Sequence, residues 1–180
     1  MNNINIVGFT GSLRKKSYNM ATLLAAKEMM PKGVTLDIID ISLIPFFNED
    51  LENNIPDSVA NFKNKIASAD GILIATPEYN FSIPPVLKNA LDWASRGDFK
   101  PLEDKPLAVM SASPSMLGGA RVQYHLRQVC CALNLQPINR PEVFIAKAYE
   151  KFNDEGKLVD DITKKAILEL VTALIEKIRQ

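Results

Sequence analysis

The chain has 180 residues, 47% of them apolar and 23% charged, enough for one ordinary hydrophobic core. Its 21 Lys and Arg balance 21 Asp and Glu, so no basic excess draws nucleic acid and no acidic field draws a basic partner. No run approaches the roughly 20 apolar residues that cross a bilayer, and Met1 to Asn5 carry no basic leader, so a cytoplasmic protein without a membrane partner is expected.

Short apolar runs alternate with helical periodicity, the pattern of βαβ units and a parallel sheet. Ile4 to Phe9 reads as the first strand. Ser17 to Met30 follows as a helix with Met20, Leu23 and Leu24 on its inner face and Pro31 to end it. Val34 to Ile41 is the second strand. The polar stretch Ser42 to Asn54, with Pro45 and Phe46-Phe47, leads to a helix opening at Asp57, with Val59, Phe62, Ile66 and Ala69 at helical spacing.

Gly71 to Thr76 is continuously apolar, as a strand covered on both faces requires. Pro77 to Ile83 is a loop, and Pro84-Pro85 open a helix where missing N–H groups cost little. That helix runs to about Arg96 and turns Leu87, Ala90, Leu91 and Ala94 inward. Leu107 to Ser113 is the fourth strand. Gly118-Gly119 precede a helix with Val122, Leu126, Val129, Cys130 and Leu133 inward. Val143 to Ala146 is the fifth strand, and Asp160 to Gln180 the closing helix. One doubly wound α/β domain over residues 1–180 follows, with five parallel strands, and a strand order of 2-1-3-4-5 would reverse between strands one and three. The two cysteines, Cys130 and Cys131, are adjacent and fit no zinc or C-x-x-C spacing; both are expected buried and reduced.

In such a sheet, ligands sit outside the carboxyl ends of the strands where the strand order reverses, here between strands one and three. The loop after strand one, Gly8-Phe9-Thr10-Gly11-Ser12-Leu13-Arg14-Lys15-Lys16-Ser17-Tyr18-Asn19, fits neither G-x-G-x-x-G nor a Walker A sequence. It supplies the hydroxyls of Ser12 and Ser17, the amide of Asn19 and the guanidinium of Arg14, all ahead of a helix N-terminus. A phosphate monoester suits that equipment. The plainer alternative leaves Ser17 or Asn19 as a helix cap and Arg14, Lys15 and Lys16 as solvated charge. The loop after strand three, Thr76-Pro77-Glu78-Tyr79-Asn80-Phe81-Ser82-Ile83-Pro84-Pro85, offers backbone donors and two aromatics to a flat heterocycle, or is simply a rigid crossover.

These two loops, with Leu87-Lys88-Asn89-Ala90-Leu91-Asp92-Trp93, resemble the NADPH-dependent FMN reductase family, which includes quinone, chromate and azo-dye reductases. Gly118-Gly119-Ala120-Arg121 with Tyr124-His125-Leu126-Arg127 resembles its quinone and chromate reductase branch. The likeness spans residues 4 to about 145. It implies a flavodoxin-like fold with strand order 2-1-3-4-5 and FMN as cofactor, with its phosphate held by Ser12, Arg14, Ser17 and Asn19 and by the backbone of Leu13, Lys15, Lys16 and Tyr18. It also implies the flavin ring against Pro77, Glu78, Tyr79, Asn80 and Phe81, with Ser113 as a further contact. Pro85 stands where the family often has glycine or another small residue.

NAD(P)H would then donate hydride through FMN to a small-molecule acceptor, with no catalytic side chain required. The lone histidine, His125, is expected to pack or to lie on the surface. The family also implies a homodimer through the helix ending at Trp93, and Arg121 and Glu142, charged groups flanking the fourth helix and fifth strand, could join dimers into a tetramer. Two other readings stand beside this one: a flavodoxin-type electron carrier, a class usually strongly acidic where this chain is neutral, and a reductase that releases reduced FMN to a partner.

Overall fold

The computed structural model describes residues 3–180. Strand β1 (Ile4–Thr10) leads to α1 (Tyr18–Glu28), β2 (Val34–Ile38), α2 (Asp57–Ala67), β3 (Gly71–Ala75) and α3 (Pro85–Ala94). Then follow β4 (Pro106–Ala112), α4 (Ala120–Ala132), β5 (Gln136–Pro137), β6 (Val143–Ile145) and α5 (Asp161–Ile178). Every pairing is parallel, and the strand order is β2-β1-β3-β4-β5 with β6 also on β4. This is the expected doubly wound, flavodoxin-like sheet.

Strand periodicity sorts the core into two layers. On β3, Ile72 and Ile74 face a cluster with Phe9, Phe62, Leu91, Trp93 and Leu126, beneath α2, α3 and α4. Leu73 and Ala75 face the opposite cluster, with Leu23, Met110, Leu170 and Leu174, beneath α1 and α5. Burial on both sides is why β3 reads as an unbroken apolar run.

The fifth strand position departs from expectation. It is filled by two pieces: β5 pairs with Pro106 and Leu107, and β6 pairs with Met110, Ser111 and Ala112. Pro137 and Pro141 fall in this segment, and residues lacking an N–H are tolerated only at a sheet edge. On α1, Leu24 is exposed, not inward; the buried face is Asn19, Thr22, Leu23, Ala25 and Ala26. Strand β2 ends at Ile38, and Asp40 then turns the chain by accepting from Ser42 N and Ser42 Oγ. Cys130 is buried but Cys131 is exposed, so only one of the expected buried thiols is inside. No helix of the described residues is long and apolar enough to cross a membrane.

Candidate functional site

Strand order reverses between β1 and β3, so the loops leaving Thr10 and Ala75 flank one crevice. In the β1–α1 loop, Thr10 Oγ1 accepts from Ser12 N at 3.2 Å. Buried Ser17 caps α1 by accepting from Met20 N at 3.2 Å. Among the described residues, the N–H groups of Leu13, Arg14, Lys15, Lys16, Tyr18 and Asn19 have no protein acceptor. The first turn of α1 holds no carboxylate, and Arg14, Lys15 and Lys16 are exposed and form no ion pair among the described residues. Arg14 lies over the Tyr18 ring, 5.1 Å from its centroid. N–H groups without a protein acceptor, a helix N-terminus and three exposed cations make this loop a candidate anion receptor.

The crevice continues over the β3–α3 loop. Tyr79 and Ser82 exchange backbone hydrogen bonds of 3.1 and 2.9 Å, closing a two-residue turn over Asn80 and Phe81. Both turn residues are left-handed, with φ of 49° and 65°. That is uncommon for a bulky residue such as Phe81, and the turn is held from α4. The Arg121 guanidinium stacks 3.6 Å from the Phe81 centroid, and Ser82 Oγ lies 3.0 Å from His125 Nδ1. The Glu78 carboxylate is spent on the same helix: it accepts from Arg121 Nε at 2.7 Å and from Val122 N at 3.1 Å. The Glu78 side chain, 8% exposed, is therefore a cap for α4 rather than an open flavin contact.

The third wall is the β4–α4 loop. Gly118 and Gly119 sit at φ of 59° and 86°; a Cβ would come within 2.8 Å of Ala146 N at Gly118 and 2.7 Å of Ser111 Cβ at Gly119. Ser111 Oγ donates to Gly118 O at 2.7 Å, and Gln123 Nε2 donates to Ser111 Oγ at 2.8 Å. Ser113 Oγ is committed within this loop, to Ser115. Asn19 ties the wall to α1: its Nδ2 donates to Ala112 O at 2.9 Å while its Oδ1 accepts from Ala112 N at 2.8 Å. The side chain of this buried residue thus serves as a strut between the loops, a role beyond the phosphate contact implied by the sequence, while its backbone N–H stays among those without a protein acceptor.

A family model described as NADPH-dependent FMN reductase matches residues 4–150. The chain belongs to that family. An NAD(P)H-dependent FMN reductase of Pseudomonas aeruginosa is 45% identical over 172 residues, covering 95% of this chain and 93% of that protein. An NADPH:quinone oxidoreductase of Arabidopsis thaliana is 46% identical over 180 residues, covering 95% and 90%. Among solved structures, the flavoenzyme NAD(P)H:(acceptor) oxidoreductase FerB of Paracoccus denitrificans superposes with a TM-score of 0.90 at 30% identity, covering 98% of this chain and 97% of that one.

The chain is accordingly an FMN-dependent oxidoreductase that uses NAD(P)H. The residues present fit the cofactor: the β1–α1 receptor suits a dianionic phosphate, and the two further loops suit a flat ring with a polar edge. Of the residues singled out in the sequence, Ser12, Leu13, Arg14, Lys15, Lys16, Ser17 and Tyr18 come together around the receptor. Pro77 is buried beneath the turn that presents Tyr79, Asn80 and Phe81.

Sequence reasoning passed over several parts of the reductase. Buried Thr10 and Thr76 fix their loops, and Gly11 lies against α3, where a Cβ would be 3.0 Å from Pro84 Cγ and 3.2 Å from Leu87 Cβ. Asn89 is a buried polar residue in the apolar stripe of α3, a signal visible in the sequence. Trp93 is 1% exposed and donates from Nε1 to Pro45 O at 2.8 Å. It is core within the protomer and cannot be the subunit contact. Arg121, expected to join dimers, is engaged with Glu78 and Phe81.

Proposed function

We propose that this reductase binds FMN across the three loops and transfers reducing equivalents from NAD(P)H to quinones. The β1–α1 receptor carries the proposal. Six N–H groups without protein acceptors and the unpaired Arg14 converge where the strand order reverses. In this reading the phosphate takes the hydroxyls of Ser12 and Ser17, the backbone from Leu13 to Tyr18 and the guanidinium of Arg14, with Lys15 and Lys16 on the rim. The ring lies among Pro77, Glu78, Tyr79, Asn80, Phe81 and Ser113. Glu78 and Ser113 contribute by shaping their loops. The N–H groups of Asn80 and Phe81, without acceptors among the described residues, are the donors available to the polar edge of the ring.

When bound, FMN supplies hydride transfer, so that one NAD(P)H and one proton convert one quinone to its hydroquinone with release of NAD(P)+. The protein's task is to orient and to desolvate. The Arg121–Phe81 stack and the Glu78 anchor hold the strained turn beside the ring, and the aromatic side chains of Tyr79 and Phe81 exclude water from the acceptor face. Support for quinones comes from the relatives named NADPH:quinone oxidoreductase in Arabidopsis thaliana and quinone reductase in Escherichia coli K12, the latter 35% identical over 181 residues.

The proposal extends to one flavin-binding domain over residues 1–180, working in the cytoplasm as a two-fold homodimer, without a nucleic-acid or membrane partner. With Trp93 buried, the dimer contact falls on the outward residues of α3, Pro85, Lys88 and Asp92. A tetramer through Arg121 would have to use the edge of the guanidinium left free by Glu78. Steady-state kinetics with NAD(P)H and p-benzoquinone test the function. Parallel double-reciprocal lines are expected, because NAD(P)+ leaves before the quinone reacts. Absence of quinone-dependent NAD(P)H oxidation in flavin-loaded protein would refute it.

A further inference from the structure

Two of the three cofactor loops are fastened to the first turn of α4. Arg121 and Val122 hold the Glu78 carboxylate of the β3–α3 loop, and the next residue, Gln123, holds the β4–α4 loop. Gln123 is 1% exposed, a polar residue on the inward face of α4 with Val122, Leu126 and Cys130. Its Nε2 donates to Ser111 Oγ at 2.8 Å and to Val143 O at 2.9 Å. Buried Ser111 passes the contact on, since its Oγ donates to Gly118 O at 2.7 Å.

The ends of this relay fix its direction. Val143 O can only accept, so the amide must turn Nε2 towards it. The other Nε2 hydrogen meets Ser111 Oγ, whose single proton is then given to Gly118 O. A donor onto the hydroxyl polarises it and strengthens the bond it gives. A trans peptide is planar, so pinning Gly118 O against Ser111 turns the Gly119 N–H to the other side of the chain. That N–H has no acceptor among the described residues.

Stability is an incomplete reason for a glutamine at this position. Gln123 Oε1 is buried and has no partner among the described residues, and a buried acceptor without a bond opposes folding. What the residue supplies is the pair of Nε2 bonds. One of them ends on Ser111, next to Ala112, where Asn19 ties the same strand end to α1.

We propose that Gln123 is a positioning residue of the flavin site, acting through Ser111 to set the Gly118–Gly119 peptide in the third wall. The proposal rests on the FMN-dependent function above. At 1% exposure Gln123 touches no ligand itself. Together with the Glu78 anchor it registers two loops on one helical turn, so the third wall and the Asn80–Phe81 turn keep a fixed spacing. The Gly119 N–H then joins those of Asn80 and Phe81 as a donor oriented before the ring arrives.

Three variants test this: Gln123→Met, of similar length but without hydrogen bonds, Ser111→Ala, and the two combined. Fluorescence titration gives the dissociation constants of FMN and riboflavin, at a temperature where melts show each variant folded. Each single variant should weaken both ligands by the same factor, about three- to tenfold, the scale of one neutral hydrogen bond. The double variant should be no worse than Ser111→Ala alone, because the glutamine acts through that hydroxyl. Equilibration of the flavin-loaded protein with a reference dye should show a midpoint potential lowered by about 30 mV. That is a tenfold change for two electrons, in the direction expected when an oriented donor no longer favours the more negative, reduced ring.

A lower melting temperature with both affinities and the potential unchanged would overturn the proposal and leave Gln123 a packing residue. So would a loss confined to FMN, or losses that multiply in the double variant. Should Gln123→Met not fold, the relay stands or falls on Ser111→Ala, which breaks its path to Gly118. These readouts need neither nicotinamide nor quinone. A protein that binds FMN but does not oxidise NAD(P)H refutes the functional reading, and the titrations still decide for or against Gln123.

Discussion

Replacing Arg14 by alanine should separate the phosphate from the rest of the flavin. The side chain is exposed, has no carboxylate partner, and rests 5.1 Å above the Tyr18 centroid, so its removal orphans no charge inside the protein. A hydrogen bond to a charged group contributes roughly 1.5–3 kcal/mol. Solvent around Arg14 puts the loss near the lower end, about 1.5–2 kcal/mol. That is a rise of roughly ten- to thirtyfold in the dissociation constant for FMN. Riboflavin, with the same ring and no phosphate, should change by less than about twofold on the same scale. Fluorescence titration of the apoprotein with both ligands measures this. Added salt should weaken FMN binding to wild type more than to Arg14→Ala, because the lost interaction is partly screened charge. Equal losses for FMN and riboflavin, or no loss for either, would refute the assignment of the phosphate to this loop.

Asn19→Ala should behave in the opposite way. It strands the N–H and C=O of Ala112 and so should cost about 2–4 kcal/mol of stability, while weakening FMN and riboflavin by the same factor; a loss confined to FMN would make Asn19 a phosphate ligand after all. A thiol reagent should titrate one cysteine in the native protein and two after denaturation. Burial pushes the Cys130 thiol up to about 12, and Cys131 is exposed; two fast thiols in the native state would contradict the packing of α4. Asp160 caps α5, and its carboxyl is held down at about 2, first by the Thr163 hydroxyl and then by Lys151. A depressed carboxyl stabilises the fold above its ordinary value of 3.8 and loses that contribution as pH falls through about 2. Asp160→Ala should therefore lower Tm by a few degrees at neutral pH, the scale of a lost cap, with a narrower gap in a melt near pH 2 than at pH 7.

The architecture was legible because its signals are of the strongest kind. An apolar run such as Gly71–Ala75 between amphipathic helices has few interpretations besides a central parallel strand. Misreadings fell where tertiary bonds outweigh hydropathy. Leu24 looked like core, yet the buried face of α1 passes through Asn19 and Thr22, polar residues satisfied by Ala112 and by Tyr18 O. The fifth strand looked like one piece because the pairing of Gln136 and Pro137 with the start of β4 leaves no apolar pattern.

At the site, the loops and the residue types were legible, but not the direction in which each side chain turns. Glu78 and Asn19 occupy the expected loops and spend their polar atoms on α4 and β4. A single sequence contains no record of which distant backbone group will accept a hydrogen bond. Asn89 is the partial exception. A polar residue inside the stripe of Leu87, Ala90, Leu91 and Ala94 must find partners inside the protein, although the sequence could not say that they would be Ile44, Pro45 and Phe47.

The central claim is that the three loops hold FMN where NAD(P)H can reduce it, and anaerobic stopped-flow mixing of the flavin-loaded protein with NADPH, and separately with NADH, tests it most directly. A single-phase loss of the visible flavin absorbance is predicted with at least one nicotinamide. It should recover on addition of a quinone, and no semiquinone signal should appear in between. Persistence of oxidised flavin with both donors, or reduction only through a one-electron intermediate supplied by a protein partner, would contradict the account.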